Sequence, residues 1–332
     1  MSVVWKCVAC GLSGLGPPDP QGAKEYVTKV HGPVLFVSDL RTNSDSALRE
    51  AATHASSAHA ALVACHVLPE FIGFRPLFAQ LRVFDREQVR LVSDWAMRLL
   101  DDQVARVISK DEPRPTLRLE SGSPPVALVD LADELSAGLI VVGGSPEGRG
   151  DASPVALAEK ISRHVSCLVL LSSPESGRTV LSALDFSDPA LPAVHAALEE
   201  SERLDLPLYV LHAVDPDVSI IAAPEMGFVA SLGALVSSYV PTFIEARRAE
   251  AGHLLEDLSK SLGKGFVLLR DGPTVDAILG AAESVDASLI VVGTHGRAGL
   301  RRLAMGSVAE GVTRGTRRST LVVPLQRGRA SG

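Results

Sequence analysis

Short apolar runs alternate with amphipathic stretches along most of this chain. Gly32-Pro-Val-Leu-Phe-Val-Ser-Asp39 and Arg178-Thr-Val-Leu-Ser-Ala-Leu-Asp185 each read as an apolar strand closing on an aspartate. Ala60–Val67 and Leu206–Val214 are strands with a histidine near the end, His66 and His212. Ala137-Gly-Leu-Ile-Val-Val-Gly143 reappears 150 residues on as Ala287-Ser-Leu-Ile-Val-Val-Gly293. Ser166-Cys-Leu-Val-Leu170 reappears 153 residues on as Ser319-Thr-Leu-Val-Val323. Between these runs, apolar positions recur at helical spacing. Asn43 or Ser44 can cap a helix through Ala47, Leu48, Ala51 and Ala52. Asp188 or Pro189 opens its counterpart, with Val194, Ala197 and Leu198 on one face. Longer amphipathic stretches cover 86–109 and 241–262, and shorter ones cover 124–136 and 273–284.

Each half thus reads β-α-β-α-β-α-β-α-β. Near-continuous apolar strands alternating with helices predict a parallel sheet covered on both faces. Right-handed crossovers make that sheet doubly wound. The predicted fold class is α/β: two tandem, doubly wound, five-stranded parallel-sheet domains of Rossmann-like type, at 33–172 and 178–326. Residues 1–32 fit neither repeat and read as a loose extension, and Ser172-Ser-Pro-Glu-Ser-Gly177 reads as the polar junction. In such sheets ligands bind beyond the carboxyl ends of the strands, where the strand order reverses.

One loop at that edge carries chemistry. Gly293-Thr-His-Gly296, then nine residues, then Gly306-Ser307, follows the apolar run Ser288–Val292 and precedes a helix pattern beginning near Ser307. Glycines let the backbone approach an anion, and amides at a helix N-terminus point toward it. The spacing is neither a P-loop, which needs Gly-Lys-Ser/Thr, nor the dinucleotide fingerprint G-x-G-x-x-G.

Composition narrows the partners. The 332 residues suffice for two cores of ordinary size. With 46% hydrophobic but only 4% aromatic residues, the interior must be built of Ala, Val and Leu. A formal charge of −7 argues against a nucleic-acid partner. No apolar stretch reaches the roughly eighteen residues of a membrane span, and the N-terminus lacks a signal-peptide layout, so a cytoplasmic location is expected. Cys65 and Cys167 lie inside strand patterns and read as buried thiols. Cys7-Val-Ala-Cys10 has the spacing of half a zinc site, but no second pair completes it and His31 is the one ligand type nearby. No metal site is assigned.

The stretch Val292-Gly-Thr-His-Gly-Arg-Ala-Gly-Leu-Arg-Arg-Leu-Ala-Met-Gly-Ser-Val-Ala-Glu310, with the strand-one aspartate and the closing Ser319-Thr-Leu-Val-Val-Pro324, resembles the universal stress protein family. The resemblance covers both halves and implies a tandem member with an adenine nucleotide alpha hydrolase-like fold. It implies ATP or a related adenine nucleotide, with or without Mg²⁺, at Asp185, Val214, Gly293, His295, Gly296, Arg297, Gly306 and Ser307. In that family the loop holds phosphates, the aspartate lies by the adenosine and the end of strand two meets the base. The resemblance further implies a regulatory role in stress response. It implies pairing through the last strand, between the two halves or with a homodimer mate or partner protein.

The first half departs from this pattern. Gly143-Gly-Ser-Pro-Glu-Gly-Arg-Gly-Asp-Ala-Ser-Pro-Val155 is three residues shorter. Pro146 stands for the second motif glycine and Pro154 for the serine, while Glu147 and Asp151 add negative charge. Nucleotide binding is therefore expected in the C-terminal half alone. Arg297 and Arg301 suit phosphate oxygens, whereas Arg314, Arg317 and Arg318 read as a solvated face. His66 and His212 read as packing or hydrogen-bonding residues. Asp185, His212 and Ser187 include the residue types of a hydrolase triad without its Gly-x-Ser-x-Gly elbow. Asp215 and Asp217 could meet Mg²⁺ with a nucleotide, or simply be solvated. The segments 71–78 and 220–230 are apolar for loops, fit to act as lids or to pack between halves. No catalytic residue is assigned. A non-enzymatic nucleotide-binding protein is favoured, with a slow ATPase and a nucleotide-free interaction module as alternatives.

Overall fold

In the first strand, β1 (Val34–Val37), Val34 and Phe36 face one side and Leu35 and Val37 the other, and all four are buried. Such a strand needs cover on both faces. The computed structural model describes residues 29–68, 86–143, 153–186, 191–215, 233–262, 265–294 and 305–324. Its first repeat continues through α1 (Asp45–Ser57), β2 (Leu62–Leu68), α2 (Arg86–Val107), β3 (Thr116–Ser121), α3 (Pro124–Leu135), β4 (Leu139–Val142), α4 (Pro154–Ser162) and β5 (Leu168–Leu171). The second runs β6 (Thr179–Ala183), α5 (Leu191–Leu204), β7 (Leu208–Val214), α6 (Gly233–Leu262), β8 (Phe266–Asp271), α7 (Thr274–Ser284), β9 (Ala287–Gly293), α8 (Ser307–Gly315) and β10 (Ser319–Val323).

The two repeats share one ten-stranded sheet, in the order β3-β2-β1-β4-β5-β10-β9-β6-β7-β8. Every pairing is parallel except that of β5 with β10, where the repeats meet antiparallel. Val169 lies opposite Val322, its own repeat counterpart, so a local two-fold passes through that pair. Helices α1, α2, α5 and α6 cover one face, and α3, α4, α7 and α8 the other. Each core contains residues of both repeats. A fully buried side chain such as Phe36 or Ile140 contributes about 2 kcal/mol.

The duplication extends to the backbone. The six described non-glycine residues with left-handed φ form three repeat pairs: Leu40 with Phe186, His59 with Asp205, and Ser136 with Asp286. Left-handed geometry costs an L-residue about 1 kcal/mol, so the turns are held by their surroundings rather than by residue type.

Several local details differ from the sequence expectation. Residues 42–44 form a 3₁₀ turn before α1, and the Ser44 hydroxyl binds Asp39 and the Arg41 carbonyl instead of capping the helix. Helix α6 begins at Gly233, well before 241, so Pro241 lies inside it. Residues 29–32 are tied to the repeats: Val30 packs on the core and Lys29 pairs with Glu199. The junction 172–178 is stitched down as well. Ser172 binds Glu50, the Ser173 amide donates to Ser319 Oγ at 3.0 Å, and Glu175 bridges to Arg318. Cys65 and Cys167 are buried thiols as expected, and burial pushes both up to about 12. Among the described residues no helix is long and apolar enough to cross a membrane. Cys7, Cys10, Ser187, Asp188, Pro189, Asp217, the segments 71–78 and 220–230 and most of both glycine-rich loops lie outside the described residues.

Candidate functional site

In the second repeat, β6 sits between β7 and β9, and the chain runs outward to β7 and β8 before crossing to β9 and β10. The strand order therefore reverses between β6 and β9, which is where an α/β sheet opens a ligand crevice. Asp185 follows β6, Val214 ends β7 and Gly293 ends β9, so all three lie at one carboxyl edge. Gly306 joins them, because its amide donates to the Thr294 carbonyl at 2.6 Å. That bond closes the base of the loop and sets Ser307, the exposed first residue of α8, beside Gly293. Buried Thr294 in turn donates its amide to the Val323 carbonyl of β10, at 2.9 Å. Asp185 and Gly293 are half-buried. The Val214 side chain is buried, and its carbonyl accepts from the Gly272 amide. His295, Gly296 and Arg297 lie outside the described residues.

The paired histidines position the aspartates. His212 Nδ1 lies 2.8 Å from the Leu184 carbonyl, and His66 Nδ1 lies 2.8 Å from the Ser38 carbonyl. A carbonyl only accepts, so Nδ1 carries the proton in both. Each bond fixes the peptide immediately before Asp185 or Asp39. The next residue, Phe186 or Leu40, turns the chain through left-handed φ, and the Phe186 ring packs 4.7 Å from that of His212.

The two edges then diverge. In the first repeat the aspartate belongs to an internal network. Asp39 accepts from the Arg41 amide at 2.9 Å and from Ser44 Oγ at 2.7 Å. Ser38 Oγ donates to Gln103 Oε1 at 2.6 Å. Gln103 Nε2 lies within 3.1 Å of the Arg41 carbonyl, Ser44 Oγ and Asp45. The Arg106 guanidinium forks onto Asp45 and, with Gln103, holds that carboxyl below its ordinary range. The second repeat carries Leu184, Ala190 and Leu191 where the first has Ser38, Ser44 and Asp45, so the polar side chains of this network do not recur there.

The helices that begin at this edge differ in the same sense. Helix α4 is capped: Ser153 Oγ accepts from the Ala156 amide at 3.1 Å, and Pro154 removes one N–H. Helix α8 starts after Gly306, which has no side chain with which to cap it. Serine before proline is a legible helix start, so this cap was available from sequence. The Gln103 network and the pinning role of Thr294 carried no such signal.

Two of the arginines expected on a solvated face are engaged. Arg314 forks onto Glu159 of α4, with both contacts at 2.7 Å. Half-buried Arg318 pairs with Asp286 and Glu175 and donates to the Ser176 carbonyl. Arg317 is exposed.

Comparison with known proteins agrees with this architecture. The model of the universal stress protein family matches residues 31–172 and again 177–324. A universal stress protein of Mycobacterium tuberculosis (strain H37Rv) is 26% identical over 311 residues, covering 89% of this chain and 97% of that protein. One from Methanocaldococcus jannaschii is 28% identical over 149 residues, 44% of this chain and 81% of that protein. Among solved structures, a universal stress protein from Archaeoglobus fulgidus superposes with TM-score 0.60 at 17% identity, covering 89% of this chain and 96% of its own. A Pseudomonas aeruginosa protein titled as a putative universal stress protein gives 0.57 at 18%, covering 90% and 94%. At these identities the superpositions speak for the fold.

Proposed function

The chain belongs to the universal stress protein family, and from that membership we propose that its second repeat binds ATP or a related adenine nucleotide, while the first serves as a scaffold. The observation that carries this reading is the contrast between the two helix starts. Helix α8 opens uncapped behind Gly306 at the strand-reversal edge, whereas α4 is closed by Ser153 and Pro154. Phosphate oxygens would take the amides of the α8 first turn and the Ser307 hydroxyl. Gly293 and Gly306 suit close approach by the ligand, and His295, Gly296 and Arg297 complete the loop in sequence. Asp185, steadied by His212, would meet the ribose or base beside the end of β7. The repeats at 33–172 and 178–326 act as domains of unequal role. Nucleotide occupancy would then regulate shape or association in a cytoplasmic stress response.

Titration calorimetry of the full chain with ATP tests this. One saturable site per chain is expected, abolished in Gly306→Val and retained in Ser153→Ala. No saturable binding, or binding indifferent to Gly306→Val, sinks the reading.

A further inference from the structure

Helix α8 is short, and its direction is set from two sides. A nine-residue helix is marginal by itself, so its orientation comes from what it packs on. On one side it lies close against α7: a Cβ at Gly311 would stand 2.8 Å from Val275 Cγ2, and one at Gly315 would stand 2.6 Å from Leu279 Cδ1. On the other side the contact comes from the first repeat. Glu159 of α4 is only 3% exposed, and both its oxygens take the Arg314 guanidinium. Arg314 also reaches Glu310 at 2.9 Å, and Arg163, the residue that closes α4, reaches Glu310 at 3.5 Å. The result is a ladder of alternating charge joining α4 to α8.

The ladder is reciprocal but uneven. Within the helices the repeats align at an offset of 151, Ala158-Glu-Lys-Ile-Ser-Arg163 against Ala309-Glu-Gly-Val-Thr-Arg314. Ser162 bonds back to the Ala158 carbonyl as Thr313 does to that of Ala309, and Ile161 and Val312 are both fully buried. Glu159 therefore corresponds to Glu310 and Arg163 to Arg314. The acid of the first repeat holds its arginine by two contacts of 2.7 Å, whereas the image pair stands at 3.5 Å.

We propose that Glu159, with Arg314, is a positioning pair through which the first repeat aims α8 at the phosphates of the nucleotide; this rests on the function proposed above. The pair grips the last turn of α8, and the anion meets the first. Over a helix of about 13 Å, a tilt of roughly 5° moves the far end by about 1 Å, enough to spoil amide-to-phosphate geometry. The adenosine moiety meets Asp185 and the end of β7, which the pair does not touch. Loss of the pair therefore weakens ATP and spares adenosine.

Calorimetric titration of the full chain with ATP and with adenosine reads this directly, in wild type, Glu159→Gln, Arg314→Gln and the double variant. Each single variant is expected to weaken ATP about fivefold and to leave adenosine unchanged, with the double variant no worse than either. Arg314 is largely exposed and carries the test if Glu159→Gln does not fold. Equal losses for ATP and adenosine, or no loss for ATP, overturn the inference while leaving nucleotide binding intact. A wild type that binds no ATP overturns the nucleotide reading and this inference with it.

Discussion

His54 of α1 and Glu200 of α5 face each other across the junction of the repeats, 3.7 Å apart, with both side chains nearly buried. Arg203 forks onto Glu200 from the next turn, and Glu50 lies one turn back on α1, bound by Ser172. Burial depresses His54 to about 4, against the opposing pull of Glu200, while burial raises Glu50. The neutral imidazole is what the fold accepts.

This gives a signed pH dependence. The unfolded chain protonates His54 near 6.5 and the folded chain near 4, so the histidine removes stability as pH falls through that window. The full loss is about 3 kcal/mol. Glu50 acts oppositely, since its raised value contributes stability at low pH that fades as pH rises above the ordinary carboxylate range. Urea unfolding at stepped pH should show stability falling from 6.5 to 4, with a visibly shallower slope in His54→Gln. An unchanged slope in that variant would refute the assignment.

Gln103 is almost fully buried and ties β1, the turn before α1, and α1 itself together. Gln103→Leu strands those polar partners and should cost about 2 kcal/mol in denaturant unfolding. ATP binding should be untouched, because the network belongs to the first repeat. A Gln103→Leu protein as stable as wild type would show that the network is not a structural plug.

Gly306 has φ −60° and ψ 148°, geometry open to any residue, so its identity is not dictated by the backbone. Gly306→Ser supplies the missing side-chain cap and should stabilise the protein by about 0.5 kcal/mol. The same hydroxyl occupies a donor that a phosphate would use, so ATP affinity should fall. A thermal melt paired with an ATP titration checks both signs, and tighter ATP binding would contradict the account.

Gly143 ends the strand run of β4 under the first turns of α1. A Cβ there would stand 2.2 Å from that of Ala47, so Gly143→Ala should cost about 2–3 kcal/mol. Adding Ala47→Gly should recover part of that loss in a chemical melt, despite the lower helix propensity of glycine. No recovery would place the strain elsewhere.

Much of this was legible in the chain. The apolar runs, the aspartates at 39 and 185 and the offsets of 150 and 153 fix strand order and repeat, because buried parallel strands leave little choice of residue. Counting back from the last strand sets Pro154 against Ser307, but the helices themselves align at 151, which places Ala156 there. Most of the three-residue difference falls after the helix, and α4 starts two residues earlier than α8. What escaped sequence was pairing at long range. Glu159 and Arg314 are 155 residues apart, and although Ala158-Glu-Lys-Ile-Ser-Arg163 recurs as Ala309-Glu-Gly-Val-Thr-Arg314, a repeat does not say which acid meets which arginine. Gln103 sits mid-helix, where its partners on β1 and the following turn carry no periodic signal. The amphipathic pattern over 241–262 marks only the later part of α6, which starts at Gly233.

The antiparallel seam at Val169 and Val322 carries its two-fold outward into the side chains. In a dimer of identical chains every contact at such a seam occurs twice, each the image of the other. Here the images are related but unequal: Glu159 with Arg314 closes to 2.7 Å, and Arg163 with Glu310 stands at 3.5 Å. Covalent linkage of the halves frees the seam from exact self-complementarity, and lets one ion pair tighten while its image relaxes.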